Sequence, residues 1–335
     1  MEKRNVDWSR LGFGYQPTGK RFVTNYAGGA WDAGCLTGDS QVVISECAGV
    51  LQYAQTCFEG LKAYTTKDGR IVCFRPELNA RRMAASCRRL CMPEYPEEKF
   101  LEAVKQTVLA NEKWVPPYGY GASFYLRPVM FGTGAVLGVK PAETYQLRIF
   151  GSPVGSYFHG SAPALSLRVC PYDRAAPHGT GHVKAGLNYA MSLYPISEAH
   201  AQGFDENVYL DAATRTYLEE TGGANLLFVK GNTLITPKSS TILPSITRQS
   251  LLEVARDYLG METQERPIAL EELGEFSECG LCGTAAVISP VGKITDKDKV
   301  YTFSGSATLH KLRSALLGIQ MGEIPAPAGW IYPIV

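Results

Sequence analysis

The chain has 335 residues, of which 45% are apolar and 19% charged, with 34 glycines and 20 prolines. That balance excludes a disordered, collagen-like or coiled-coil protein, and the length favours two lobes of about 150 residues each over a single core. Its 33 basic and 32 acidic residues leave a net charge of +1, so no whole-protein field exists to draw in nucleic acid or an anionic membrane.

The opening segment MEKRNVDWSR has no apolar stretch behind it, and no later run approaches the roughly 18 apolar residues that crossing a bilayer takes. Gln41–Ser45 (QVVIS) reads as a strand, and YTTKDGRIVCF as a hairpin turning at Asp68 and Gly69. Helices are predicted over residues 77–91, ending before Pro93, and 97–113, where Phe100, Leu101, Val104, Val108 and Leu109 share a face ahead of Pro116 and Pro117. SFYLRPVMF and TYQLRIFGSPV read as the strands they pack on. Residues 151–163, rich in Gly, Ser and Pro, read as a linker, which divides the chain into a small α/β domain (1–150) and a larger domain (164–335). The larger domain is predicted to be mixed, with strands in ALSLRVCPY, NVYLDAATRTYLEE and NLLFVKGNTLITP. An amphipathic helix follows from Ile246, then a short helix LEELGEF, a strand AVISPV and a last helix over 306–321.

Familiar motifs are mostly missing. There is no GxxxxGK[ST], no HExxH around His178 and His182, and no GxSxG, while GTGAVLG has one residue too many for GxGxxG. No metal site is expected. Cys279 and Cys282 form a lone CxxC, open to three readings: a zinc site with distant ligands, a redox dithiol or two unrelated thiols. Nine scattered cysteines, an odd number, suit a reducing cytoplasm. In LPSITRQS a helix start leaves amides at Ile246 and Thr247 for either a self-cap by Ser245 or Thr247, or an anion.

Five segments taken together resemble the branched-chain-amino-acid aminotransferases, pyridoxal-phosphate enzymes of fold type IV. They are CFEGLKAY with FRPELNARRM, FYLRP, VKAGLNYAMS, ETGGAN, and ILPSITR followed by GTAAVISPV, in the family's order across about residues 53–291. The resemblance implies a two-domain α+β or α/β fold, with a small α/β lobe and a larger β-barrel-like lobe bearing helices. It implies pyridoxal 5′-phosphate as cofactor and transfer of an amino group from leucine, isoleucine or valine to 2-oxoglutarate. The alternatives are a D-amino-acid aminotransferase, an aminodeoxychorismate lyase or a cofactor-binding protein without turnover.

By the same resemblance Lys184 is the catalytic amine that bonds the cofactor, a task that needs a side chain able to lose its proton. Glu220, placed by E-x-G-x-x-N where neighbouring Glu219 is not, faces the pyridine nitrogen, and Tyr189 bonds the phenolic oxygen. Arg82 holds the phosphate with the amides of Ile246 and Thr247 and the hydroxyl of Thr284, which moves the helix-start reading toward an anion. Tyr125 and the amides of Thr284 and Ala285 meet the α-carboxylate. Tyr53 and Phe58 wall the side-chain pocket, and Arg127 with Tyr53 takes the second carboxylate of the acidic co-substrate. Leu137 and Val139 reach the neighbouring subunit's pocket, implying a homodimer. One departure stands out: Leu187 occupies a position where the family carries glycine, which restricts the backbone beside the lysine.

Overall fold

The computed structural model describes residues 3–155 and 164–335. The chain forms two compact units. The first takes the described chain up to residue 155 together with Val183–Leu187 and Ile319–Val335, and the second takes 164–182 and Asn188–Gly318.

The first unit is a nine-stranded sheet backed by helices. Its strands are β1 (Arg21–Ala27), β2 (Ala30–Trp31), β3 (Cys35–Thr37), β4 (Thr56–Phe58), β5 (Leu61–Thr65), β6 (Ile71–Phe74), β7 (Ser123–Gly132), β8 (Tyr145–Val154) and a short strand at Ile331–Pro333. The helices are α1 (Gly49–Tyr53), α2 (Pro76–Arg89) and α3 (Glu97–Ala110). Antiparallel pairing runs from Ile331–Pro333 through β6, β5, β7 and β8 to β1 and β2, with β3 added to β1 and β4 to β7. Alternation along β7 sorts its two faces. Phe124, Leu126 and Met130 are fully buried against a core that includes Met83 and Cys87 of α2 and Phe100, Val104 and Val108 of α3, whereas Tyr125, Arg127 and Val129 are half-buried on the opposite face. Burying a side chain such as Phe100 stabilises the fold by about 1.5–3 kcal/mol. Pro76 opens α2, where its fixed φ and missing amide are suited to the first turn.

Three expectations change here. Gln41–Ser45 is not a strand, because its β-branched residues find no neighbouring strand: Val42 is 43% and Val43 95% exposed. The supposed linker begins too early, since Gly151–Val154 are the last residues of β8, paired with β7 through Ser123↔Val154; residues 156–163 of that linker lie outside the described residues. The C-terminal segment from Ile319 belongs to the first unit rather than the second, because its strand adds to β6.

The second unit contains β9 (Leu165–Val169), β10 (Glu206–Leu210), β11 (Leu218–Thr221), β12 (Asn225–Lys230), β13 (Thr233–Pro237), β14 (Glu262–Arg266), β15 (Glu278–Gly283), β16 (Val287–Asp296) and β17 (Lys299–Thr302). Six of them close on themselves in the order β11, β10, β9, β16, β15, β12, and the ring is completed by one register pair, Glu220 opposite Asn225. A closed ring leaves those strands no free edge. Leu167, Val208, Leu226, Phe228, Leu281 and Ile294 fill its core. Helices α5 (Leu193–Ala201) and α6 (Ile246–Leu259) belong to this unit, as do the last three residues of α4 (Gly186–Ala190) and all but the last two of α7 (Ala307–Gln320); α5 and β1–β3 have no counterpart in the expectations above.

Glu206 opens β10 with its carboxylate accepting the amide of Asn207 at 2.7 Å. Burial pushes this carboxyl up from 4.5 to about 7. A raised acid pKa in the folded state makes its stabilising contribution complete below the unfolded value and lost as pH rises through the folded one. Glu206→Gln is therefore expected to remove a loss of up to about 3 kcal/mol between acid and neutral pH, at about 1.36 kcal/mol per pH unit. Chemical denaturation of both proteins at about pH 5 and about pH 8 checks this.

Candidate active site

In the first unit Val183–Leu187 runs beside β4. Ala185 bridges Cys57, the amide of Phe58 donates to the Lys184 carbonyl at 3.0 Å, and the Lys184 amide donates to Ser86 Oγ at 3.2 Å. The Lys184 backbone is thus tied on both sides. Its Nζ stands over the Phe58 ring, 4.8 Å from the centroid, and the Arg127 guanidinium lies over the same ring at 4.8 Å. Phe58 pairs in register with Val129 of β7, which places it on the half-open face with Arg127 and Tyr125. Arg127 donates to the Tyr125 hydroxyl at 3.2 Å. That hydroxyl occupies the space a Cβ on Gly60 would take, only 2.0 Å away, so the glycine of CFEGLKAY is what admits Tyr125.

Arg82 projects from α2 into a two-point pair with Glu59, Nε to Oε1 at 2.8 Å and NH2 to Oε2 at 2.7 Å. The Glu59 side chain is fully buried and takes a further bond from Asn79 at 2.8 Å. The planar guanidinium is therefore fixed in orientation. Arg81 instead pairs with Glu97 at the surface, as expected of a surface group.

Tyr53 closes α1 and donates its hydroxyl to the Leu137 carbonyl at 2.5 Å. This joins Tyr53 to the loop that carries Leu137 and Val139. Leu137 is 84% exposed and Val139 88%.

The second unit holds the other candidates. Glu219 and Glu220 are 3% and 4% exposed, so neither sits on a solvated hairpin edge. Their partners differ. Glu219 accepts from the hydroxyls of Thr241 and Ser239. Glu220 accepts from the amide of Leu243 at 2.9 Å and from Asn225, and pairs with Arg174 at 2.9 Å. All three are donors, the set an ionised carboxylate requires. The E-x-G-x-x-N spacing has a plain physical meaning here: it sets Glu220 and Asn225 face to face across a tight turn at the pair that closes the barrel. Arg174 carries no signal in the sequence, and Glu59, although it stands in CFEGLKAY, is given no role there, because each acts through a partner distant along the chain. Only Gly181 hints at Arg174, since a Cβ there would lie 2.8 Å from its NH2 and 2.2 Å from the Thr241 carbonyl.

Ser245 caps α6 by accepting the amide of Arg248 at 3.2 Å, so the self-cap forms without engaging the amides of Ile246 and Thr247. Thr284 and Ala285 lie in the turn between β15 and β16. Tyr189 is half-buried in α4. Leu187 lies in the same helix with a φ outside the left-handed region, so its backbone makes no demand for glycine. Cys279 and Cys282 fall on opposite faces of β15, Cys279 in the barrel core and Cys282 opposite Asn225. Burial drives the Cys279 thiol well above its usual range and the Cys282 thiol up to about 12, which leaves both inert as thiolates at neutral pH.

Comparison with known proteins accounts for this arrangement. The family described as amino-transferase class IV matches residues 56–294. The chain is 46% identical over 334 residues to the branched-chain-amino-acid aminotransferase of Helicobacter pylori, covering 98% of each protein. It is 47% identical over 341 residues to that of Haemophilus influenzae, covering 99% of each. Among solved structures, the Escherichia coli branched-chain amino acid aminotransferase matches with a TM-score of 0.80 at 27% identity, covering 95% of this chain and 100% of that one. The fold is accordingly that of fold type IV, a helix-backed sheet in one unit and a closed barrel in the other. The chain belongs to the class IV aminotransferases and, within them, to the branched-chain-amino-acid aminotransferases, which depend on pyridoxal 5′-phosphate.

Proposed function

We propose that the protein transfers the amino group of leucine, isoleucine or valine to 2-oxoglutarate, giving the branched 2-oxo acid and L-glutamate. The observation that carries this reading is the shared placement of Lys184 and Arg127 over Phe58, an amine and a guanidinium each 4.8 Å from the centroid of one apolar ring.

The donor set fits the cofactor. It includes an amine whose backbone is tied on both sides, an arginine locked by a buried carboxylate, and a second buried carboxylate that accepts from an arginine. When bound, pyridoxal phosphate supplies an aldehyde for the amine and a ring that takes up the electrons released from Cα. Lys184 would provide that amine and, as a base, would move the α-proton. Glu220 keeps a negative charge for the ring nitrogen, with Arg174 and Asn225 holding its orientation. In the first unit Arg82 would be a phosphate ligand, and in the second the first amides of α6 at Ile246 and Thr247 and the Thr284 hydroxyl would each have that role. Tyr189 bonds the phenolic oxygen. Tyr125 and the amides of Thr284 and Ala285 orient the substrate's α-carboxylate, Phe58 and Tyr53 wall its side chain, and Arg127 takes the distal carboxylate of the acidic partner.

The working form we propose is a homodimer, supported by the exposure of Leu137 and Val139, apolar residues that a partner subunit's pocket would cover. Its place is the cytoplasm, which its nine unpaired thiols suit. Among the described residues no helix is long and apolar enough to cross a membrane.

An amino-donor panel with 2-oxoglutarate on cofactor-loaded protein tests the reaction. Glutamate should form from leucine, isoleucine and valine. Formation from D-alanine alone, or from no amino acid, overturns the assignment.

A further inference from the structure

Strands β7, β8 and β1 lie side by side, and their register decides which side chains share a face. Arg127 stands opposite Phe150 and Val129 opposite Arg148, while Val23 stands opposite Arg148 from the other side. Arg21, two residues before Val23, is therefore on the same face, so Arg127, Phe150 and Arg21 form a row across three strands. This face floors a cavity of about 470 Å³ whose walls include Phe13, Tyr125 and Phe150.

Three guanidinium groups line that cavity, and no aspartate or glutamate does. Arg21 and Arg148 are 5% and 7% exposed. Among the described residues none of the three is paired with a carboxylate. Arg21 donates only to the Thr18 carbonyl at 3.2 Å and Arg127 only to the Tyr125 hydroxyl, and the Nε of each has no hydrogen-bond partner. Arg148 spends NH1 and NH2 on the carbonyls of Gln41 at 2.6 Å and Asp39 at 2.8 Å. Burial, with the nearby Arg21 charge, lowers the Arg148 pKa from its ordinary value, and the Asp39 charge offsets this only in part. A buried cation such as Arg21, paired with no carboxylate, is costly unless an anion from outside the unit compensates it.

We propose that this cavity is a carboxylate subsite and that Arg21 is a specificity-determining residue for the acidic co-substrate. Arg21 shares with Arg127 the distal carboxylate of a short dicarboxylic 2-oxo or amino acid. Arg148 is a positioning residue: by holding the Asp39 and Gln41 carbonyls it keeps Ser40 and Val42 in the cavity wall. The assignment rests on the acidic co-substrate proposed above and extends its site from β7 to β1.

The test measures both half-reactions and the binding of glutarate, a dicarboxylate without a reacting group, by calorimetry on cofactor-loaded wild type and Arg21→Met. The expected result is a tenfold or greater fall in glutarate affinity, with a similar fall in the ratio of kcat/KM for 2-oxoglutarate to that for leucine. Arg21→Lys, which keeps the charge, should restore most of both, and if Arg21→Met does not fold, Arg21→Gln is read in its place. An unchanged ratio, or glutarate affinity that does not depend on position 21, overturns the proposal. If wild type accepts no amino group for 2-oxoglutarate, the proposed reaction fails on its own, while the glutarate titration still decides the cavity: no binding to wild type overturns the subsite.

Discussion

Lys184→Ala is expected to lower transamination by about 10⁴-fold or more, because under the proposed assignment it removes both the nucleophile and the proton carrier. The loss is chemical rather than structural. Lys184 is held through its main chain, by the Phe58 amide and by Ser86 Oγ, and alanine keeps both ties. Denaturant unfolding should therefore stay within about 1 kcal/mol of wild type, the scale of an ordinary substitution. Lys184→Arg should be as inactive, since a guanidinium does not give up its proton at working pH. Borohydride reduction of the loaded wild type followed by peptide mapping supplies the independent check. A cofactor label on any lysine other than 184 sinks the assignment.

Glu220→Gln is expected to cost both activity and stability. Glutamine removes the charge that we propose for the ring nitrogen, and loss of one preorganised electrostatic partner lowers turnover by about 10²-fold or more. It also strands Arg174, whose side chain is 6% exposed and has its carboxylate partner in Glu220. Breaking one side of a buried ion pair costs about 3–5 kcal/mol. Glu219→Gln is the control that separates the two carboxylates. Its bonds are to hydroxyls, so the expected cost is about 1 kcal/mol, with turnover largely retained. Turnover and denaturation curves on both variants decide it, and equal losses at 219 and 220 contradict the assignment of the ring-nitrogen role.

The long periodic elements were legible because their patterns are local. The hairpin around Asp68 and Gly69 forms as expected, with Gly69 at a φ of 87°, and the helices from residues 77, 97 and 246 appear within a few residues of their predicted ends. Elements that depend on distant partners were not legible. β1–β3 are recognisable only once β8 is there to pair with them, and QVVIS, for all its β-branched residues, stays irregular because no strand lies beside it. The same division runs through the site. Lys184, Glu220 and Arg82 stand in short motifs that mark the family, whereas Arg174, Arg21 and Arg148 became meaningful only once the fold brought distant parts of the chain beside them, and Glu59, inside CFEGLKAY, acquired its role only with Arg82 beside it. E-x-G-x-x-N belongs to both groups, being a motif in the sequence and the closing pair of the barrel.

The strand at Ile331–Pro333 completes the sheet whose first strands come from the opening third of the chain. During synthesis the early strands must wait, with one edge of β6 unsatisfied, until Ile331–Pro333 has left the ribosome, after all the strands of the second unit. The lobe that is begun first is completed after the second, and a nascent chain stalled before residue 331 would present an open β edge to its surroundings.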